Sequence, residues 1–180
     1  AIGDSMMASL LDLIEHGGHG RLLVYDPVTN KATSLINNLN FANGVAVSHD
    51  QTYVLVNETG SYRIIRYWIS GPHKGSFEPL IESLPSFPDN ISTGSNGKYW
   101  VALVSPRNNL LDSLSDKPFL RNVIQRLPAF LRPKAVAFGH IIAIDGNGNV
   151  LEDLQDADGT YPINTSVTET QDYLYIGSLV

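Results

Sequence analysis

Three side chains stand out as possible oxygen ligands: Asn43, Asp89 and Asn90. Asn43 opens the apolar run Gly44-Val45-Ala46-Val47, and Asp89-Asn90 stands just before Ile91. Each of these stretches is followed by a polar turn and then by a strand-like run that starts with tyrosine, Tyr53 in one case and Tyr99 in the other. Amide and carboxylate oxygens gathered at such strand entries suit a hard cation such as calcium. A calcium ion held there can polarise an ester or lactone carbonyl and lower the pKa of a water molecule. The competing reading is that each Asn or Asp merely caps a β-turn.

The elements that would position these residues are short strands. Gly44 to Ser48, Tyr53 to Val56 and Tyr62 to Ile69 are rich in β-branched and aromatic residues, with His49-Asp50-Gln51 and Thr59-Gly60-Ser61 as turns between them. This is a three-stranded meander. The layout recurs: Pro88 to Ser92 precedes the turn Gly94-Ser95-Asn96-Gly97 and the strand Tyr99 to Leu103. Asn164 to Thr168 then precedes Gln171-Asp172 and the strand Tyr173 to Gly177. Tyr53, Tyr99 and Tyr173 hold equivalent places, the first two 46 residues apart. A period in the forties with about four strands per unit predicts an all-β fold, a β-propeller rather than a β-sandwich. In a propeller, Asn43, Asp89 and Asn90 enter innermost strands of adjacent blades and converge on the channel.

The chain of 180 residues holds fewer than four such units, whereas propellers close with about four to eight blades. The expectation is a partial β-propeller, about half of a six-bladed one, forming a single domain over 1–180. Its net charge of −6 argues against a nucleic-acid or anionic-membrane surface, because no basic patch is expected to displace counterions. No apolar run is long enough to span a bilayer. The absence of cysteine excludes disulfides and thiolate metal sites.

In chain order, residues 1–20 open with a helix, capped by Asp4 or Ser5 and ended by Gly17-Gly18, with Met6, Leu10, Leu13 and Ile14 near one face. His16 and His19 flank those glycines as loop residues or as a metal or proton-shuttle pair. Arg21 to Asp26 and Lys31 to Ile36 form a hairpin, the outer edge of one blade. Gly75 to Ile81 is the outer strand of the next. A helical insertion at about 107–131 interrupts the following blade, with helices at Asn109 to Ser115 and Pro118 to Leu127 and Asp116-Lys117-Pro118 as a cap. Such an insertion serves as a lid, a partner surface or a clamp. The blade resumes with Ala135 to Ile144 and Asn149 to Leu154 around the hairpin turn Asp145-Gly146-Asn147-Gly148. No GxSxG, HExxH or P-loop is present, so no nucleophile or general base is singled out.

FANGVAV, YVLVNETGSYRIIRYWISGPHKG, LPSFPDN followed by KYWVAL, and LLDSLSDKPFLRNVIQRLP together resemble the strictosidine synthase-like family, in the branch that contains the adipocyte plasma membrane-associated protein. The resemblance runs from about Gly20 to Gly177 and matches a C-terminal half. It implies a six-bladed propeller related to paraoxonases and gluconolactonase-type enzymes, which hold calcium in the channel. On that resemblance Asn43 falls on an asparagine ligand, Asp89 on an aspartate ligand and Asn90 on the asparagine that follows it. The family's glutamate ligand would lie before Ala1. Strictosidine synthase itself carries a catalytic glutamate where this chain has Thr165, with Ile163 replacing a histidine and Glu169 four residues later. Asn57 departs from a common alanine. With Thr59 it forms a glycosylation sequon, as do Asn90 with Ser92 and Asn164 with Ser166. The expected function is a calcium-dependent hydrolase of aryl esters or lactones, acting on a small molecule. The alternatives are an amine–aldehyde condensing lyase relying on Glu169, and a non-catalytic binding propeller.

Overall fold

The structure is a computed structural model that describes residues 5–133 and 136–180. Its contacts divide the chain into two compact units, residues 5–42 with 107–133 and residues 43–106 with 136–180.

The larger unit contains two four-stranded antiparallel sheets and a two-stranded one. The first sheet is β3 (Ala42–Val47), β4 (Tyr53–Glu58), β5 (Arg63–Trp68) and β6 (Phe77–Ile81), in sequence order. The second is β7 (Ser86–Thr93), β8 (Tyr99–Pro106), β9 (Gly139–Ile144) and β10 (Val150–Asp156), again in sequence order. β11 (Asn164–Glu169) pairs with β12 (Leu174–Ser178). Up-and-down sheets in succession are blades, so the expected partial propeller is the fold found.

Side-chain alternation explains why β8 and β9, the central strands of the second sheet, are buried on both faces. Tyr99, Val101 and Leu103 of β8 join Ile142 and Ile144 of β9 in a core shared with Tyr53, Leu55 and Ile64 of the first sheet. Trp100 and Ala102 point the other way and pack with Ile141, Ala143 and Val167 of β11. Burying each large aliphatic here contributes about 1.5–3 kcal/mol relative to exposure. The repeat is physically expressed at Tyr53 and Tyr99, whose hydroxyls lie 3.2 Å apart and are buried. Tyr173 keeps the equivalent place in sequence but is exposed, just ahead of β12.

Several boundaries differ from expectation for local reasons. The turn Thr59–Ser61 is a 3₁₀ turn closed by Tyr62 in the left-handed conformation, so β5 starts at Arg63 rather than Tyr62. β9 starts at Gly139; the early part of the expected strand includes Ala135, which lies outside the described residues. The turn at Asp145 is the expected hairpin: its carboxylate accepts from the backbone N–H groups of Asn147 and Asn149.

The smaller unit contains α1 (Ser5–Glu15), the hairpin β1 (Gly20–Asp26) with β2 (Lys31–Leu39), and the insertion helices α2 (Asn109–Ser113) and α3 (Pro118–Gln125). Asp4, one of the two expected caps of α1, lies outside the described residues. Asn108 caps α2 by accepting from the N–H groups of Leu110 and Leu111. α3 begins with Pro118 in its first turn, as expected, but Lys117 occupies the cap position, and its side chain donates to the Ser113 carbonyl at 3.2 Å and does not cap the helix.

Arg121 fixes the insertion to α1. Its guanidinium, 3% exposed, donates to the carbonyls of Leu13 and Ile14 at 3.1 and 3.2 Å, to Leu114 at 2.8 Å and to Leu111. These carbonyls lie at or just past helix ends, where a cation is best placed; those of Leu111 and Leu114 also accept from main-chain N–H groups. Gln125, one turn on, donates to the carbonyl of Leu11 at 3.3 Å.

Candidate functional site: an oxygen cluster on the first strands of the blades

β7 carries an irregularity at the site. Pro88 pairs with Leu103, but the next paired residue is Ile91, opposite Val101. The extra residue is a bulge that takes Asp89 and Asn90 out of the ladder and re-aims their side chains. It also leaves backbone carbonyls without strand partners. Two buried side chains at the end of β4 take them. Thr59 Oγ1 donates to the carbonyl of Pro88 at 2.6 Å, and Asn57 Nδ2 donates to that of Asp89 at 2.8 Å. Asn57 is fully buried, and its Oδ1 has no hydrogen-bond partner among the described residues.

β3 reaches the same bulge from the adjoining sheet. A Cβ on Gly44 would lie 2.5 Å from Asn90 Cα, 2.6 Å from Ile91 N and 2.7 Å from the Asp89 carbonyl oxygen. Only glycine permits that approach. It places Asn43, the preceding residue, where its side chain hydrogen-bonds the Asp89 carboxylate. Asn90 links onward to a third strand: its Nδ2 donates to the Thr165 carbonyl of β11 at 2.8 Å and lies 3.4 Å from Asp89 Oδ1. The structure therefore brings Asn43, Asp89 and Asn90 together.

Burial pushes the Asp89 carboxyl up to about 6, partly offset by the hydrogen bond from Asn43. Among the described residues no Lys, Arg or His forms an ion pair with it. The donor set is thus a half-buried, uncompensated carboxylate flanked by two amides and a main-chain carbonyl, all of them hard oxygens. Such a set fits calcium.

Glu169 has a different fate. Its carboxylate accepts from Ser95 Oγ at 2.7 Å, Ser95 N at 2.8 Å and Trp100 Nε1 at 2.9 Å, with Lys98 Nζ at 3.6 Å. The hydrogen bonds from Ser95, then that from Trp100, push it down to about 2. It ties β11 to the turn before β8 and stays ionised, which is unsuited to an acid–base role at neutral pH. Of the three sequons, Asn57 and Asn164 are buried. Asn164 Oδ1 accepts from His140 N at 2.7 Å, and only Asn90 is exposed.

Two further groupings stand apart from this cluster, the first without a sequence signal because its members are far apart, the second beside the His16 and His19 pair singled out in the sequence. Ser86 Oγ lies 3.3 Å from His140 Nδ1, and His140 Nε2 lies 2.9 Å from Asp153 Oδ1. The order matches a hydrolytic triad, but Ser86 and His140 are 2% and 3% exposed, so the array ties β7 to β9 and β10 without access for a substrate. At the end of α1, ligand atoms of Asp12, Glu15 and His19 lie within 4.8 Å of one another, and His16 Nδ1 is 2.5 Å from Asn40 Nδ2.

The Thr59 contact has a direct test in the full-length protein. Thr59→Val keeps the shape and leaves the buried Pro88 carbonyl unpaired, so denaturant unfolding is expected to show a loss of about 1–3 kcal/mol. Thr59→Ser keeps the hydroxyl and should retain most of it. Equal stability of Thr59→Val and the parent would mean that the bulge needs no such support.

The successive antiparallel blades, with an oxygen cluster on their first strands, define a β-propeller of which this chain supplies a part. The profile of the strictosidine synthase family matches residues 5–72. The adipocyte plasma membrane-associated protein of Rattus norvegicus is 39% identical over 178 residues, covering 94% of this chain and 47% of its own length. The strictosidine synthase-like 10 protein of Arabidopsis thaliana is 39% identical over 168 residues, covering 89% and 45%. The chain is thus similar to members of the strictosidine synthase-like family, and it spans about half the length of the curated relatives it matches. Among solved structures, a gluconolactonase from Xanthomonas campestris superposes with a TM-score of 0.58 at 15% identity, over 89% of this chain and 42% of its own. A calcium-binding protein, regucalcin, from Agrobacterium tumefaciens gives 0.55 at 16% identity, over 85% and 41%. At these identities the likeness concerns the fold.

Proposed function

We propose that the full-length protein is a calcium-dependent hydrolase of small aryl esters or lactones, with Asn43, Asp89 and Asn90 among its calcium ligands. The observation that carries this reading is the Asp89 carboxyl: half-buried, raised to about 6, hydrogen-bonded by Asn43 and, among the described residues, without an ion-paired cationic side chain. A divalent cation supplies the missing compensation. When bound, calcium would supply a Lewis acid for the scissile carbonyl and lower the pKa of a water. The residues of this chain do the positioning. The bulge aims Asp89, Asn43 orients its carboxylate, and the Thr165 carbonyl holds the amide of Asn90 so that its Oδ1 remains available. The calcium-binding and gluconolactonase functions named for the two solved structures are consistent with this reading. The condensing-lyase alternative is disfavoured by Glu169, whose carboxylate is engaged by Ser95, Trp100 and Lys98.

Titration calorimetry on the full-length parent, Asn43→Ala and Asp89→Ala, beside an ester and lactone screen, tests the proposal. The parent is expected to bind calcium, Asp89→Ala to lose binding, and Asn43→Ala to weaken it about tenfold or more. Ester or lactone turnover should disappear with the metal. A parent that binds no calcium, or one whose affinity neither substitution changes, would overturn the assignment. Calcium binding with no turnover on any ester or lactone would leave a binding propeller in its place.

A further inference from the structure

α3 is inverted relative to an ordinary surface helix. Its inward-facing polar residues, Arg121 and Gln125, donate to main-chain carbonyls of α1, and Arg121 is buried. Its apolar residues face out. Phe119 is 77% exposed, and Leu120 and Val123 are exposed beside it. The next turn, Ala129–Leu131, repeats the arrangement with Phe130 at 76% and Leu131 also exposed. The guanidinium of Arg121 opposes rolling α3 to turn these side chains inward, because rotation would take its hydrogen bonds from the Leu13 and Ile14 carbonyls and leave a buried cation unpaired. Large apolar side chains fixed in water call for an occupant.

The charges around them indicate which one. The net charge of −6 is an average over the whole chain. From residue 117 to 134 the sequence holds Lys117, Arg121, Arg126, Arg132 and Lys134 and no acid at all. With Arg121 used internally, exposed Lys117 and Arg126 and half-buried Arg132 alternate with the outward Phe and Leu residues. Cations interleaved with protruding aromatic and aliphatic side chains match the boundary of a bilayer. There the apolar groups enter the acyl region and long basic side chains reach back to phosphates. An anionic leaflet adds about 1 kcal/mol for each such cation.

We propose that the insertion, through Phe119, Leu120, Val123, Phe130 and Leu131 with Lys117 and Arg126, is a docking surface for an anionic lipid bilayer. It lies on the surface rather than crossing it: no helix among the described residues is long and apolar enough to span a membrane. The proposal does not depend on the oxygen cluster or on calcium. It replaces the expectation, drawn from net charge, that anionic membranes are excluded.

The test uses the full-length protein with unilamellar vesicles of phosphatidylcholine, with and without phosphatidylserine. Because other parts of the full chain can hold it on a vesicle, the deciding readout is local. Phe119→Trp places a reporter on the surface, with the full-length parent giving the tryptophan background, Trp68 and Trp100 included. On phosphatidylserine vesicles its emission is expected to shift to the blue and to be quenched by brominated acyl chains. Lys117→Glu/Arg126→Glu in the same reporter background should weaken that response about tenfold or more. Phe119 and Phe130 are exposed, so a Phe119→Asp/Phe130→Asp protein should melt with the parent while losing the insertion's share of vesicle affinity. A reporter that stays unquenched on anionic vesicles would overturn the proposal. So would equal quenching on neutral ones, or a reporter already shielded in the absence of lipid, which would show that the remainder of the protein covers this face.

Discussion

At pH 7 the Asp89→Asn variant of the full-length protein is expected to bind no calcium and, in calcium-free buffer, to be more stable than the parent. Both effects follow from one carboxyl. Burial raises its folded pKa to about 6, above the ordinary value of 3.8. A folded pKa above the unfolded one means that the native state holds the proton more tightly. Stability from this group is therefore fully present below about pH 4 and is lost as pH rises through 6. At neutral pH the charged carboxylate strains the metal-free fold. Asparagine removes the charge and keeps the shape. The gain is expected to be about 1 kcal/mol, well below the full value of the shift because the carboxyl is partly exposed to solvent. The same titration governs the metal. Calcium needs the carboxylate, so the parent's affinity should fall as pH drops below about 6. Binding near pH 6 should release protons, measurable as a buffer-dependent calorimetric enthalpy. Asp89→Asn should abolish that release. A variant no more stable than the metal-free parent would show that the carboxyl is solvated, and the proposed calcium site would lose its main support.

Gly44→Ala should move stability in the opposite direction. The added methyl would meet three backbone atoms of β7 at 2.5–2.7 Å, and backbone cannot step aside as a flexible side chain can. The first strands of the two sheets must separate, at an expected cost of about 1–3 kcal/mol. Separation also pulls Asn43 away from Asp89, so calcium affinity should fall together with the melting temperature. The two substitutions form a diagnostic pair: Asp89→Asn loses the metal and gains stability, whereas Gly44→Ala loses both. An Ala variant that melts with the parent would mean that the sheets tolerate a wider gap and that the close approach does not set the geometry of the site.

The fold was legible in the sequence wherever structure is local. Tight turns such as Asp145-Gly146-Asn147-Gly148 and the β-branched runs after Tyr53 and Tyr99 declare themselves within a few residues, and the period between those tyrosines gave the blades. Asn43 and Asp89 were legible as a pair because each precedes the apolar part of the first strand of its blade, although β7 begins at Ser86 and holds Asp89 within it, at the bulge. What made them a site was not legible. The bulge that frees Asp89 has no composition signal, and its support by Asn57 and Thr59 joins residues 32 and 29 positions away. Glu169 looked available for proton transfer because its partners lie 69 and 74 residues upstream. Arg121 reads as a surface residue of an amphipathic helix until α1 is placed beside it. Net charge carries no such placement, because it sums over positions that the fold keeps apart.

The full burial of Asn57 bears on the order of events during synthesis. Asn57-Glu58-Thr59 is an acceptor sequence for oligosaccharyl transfer, and transfer acts on chains that have not yet folded. A glycan on Asn57 could not be accommodated where its Nδ2 now meets the Asp89 carbonyl. In any compartment where that transferase meets this chain, β4 must close onto β7 before the sugar arrives. Each molecule is thus committed to one of two exclusive outcomes, folded and bare at Asn57 or modified there and unable to complete the blade. Site occupancy at Asn57 would then record the race between folding and modification, and slow-folding variants such as Gly44→Ala should raise it.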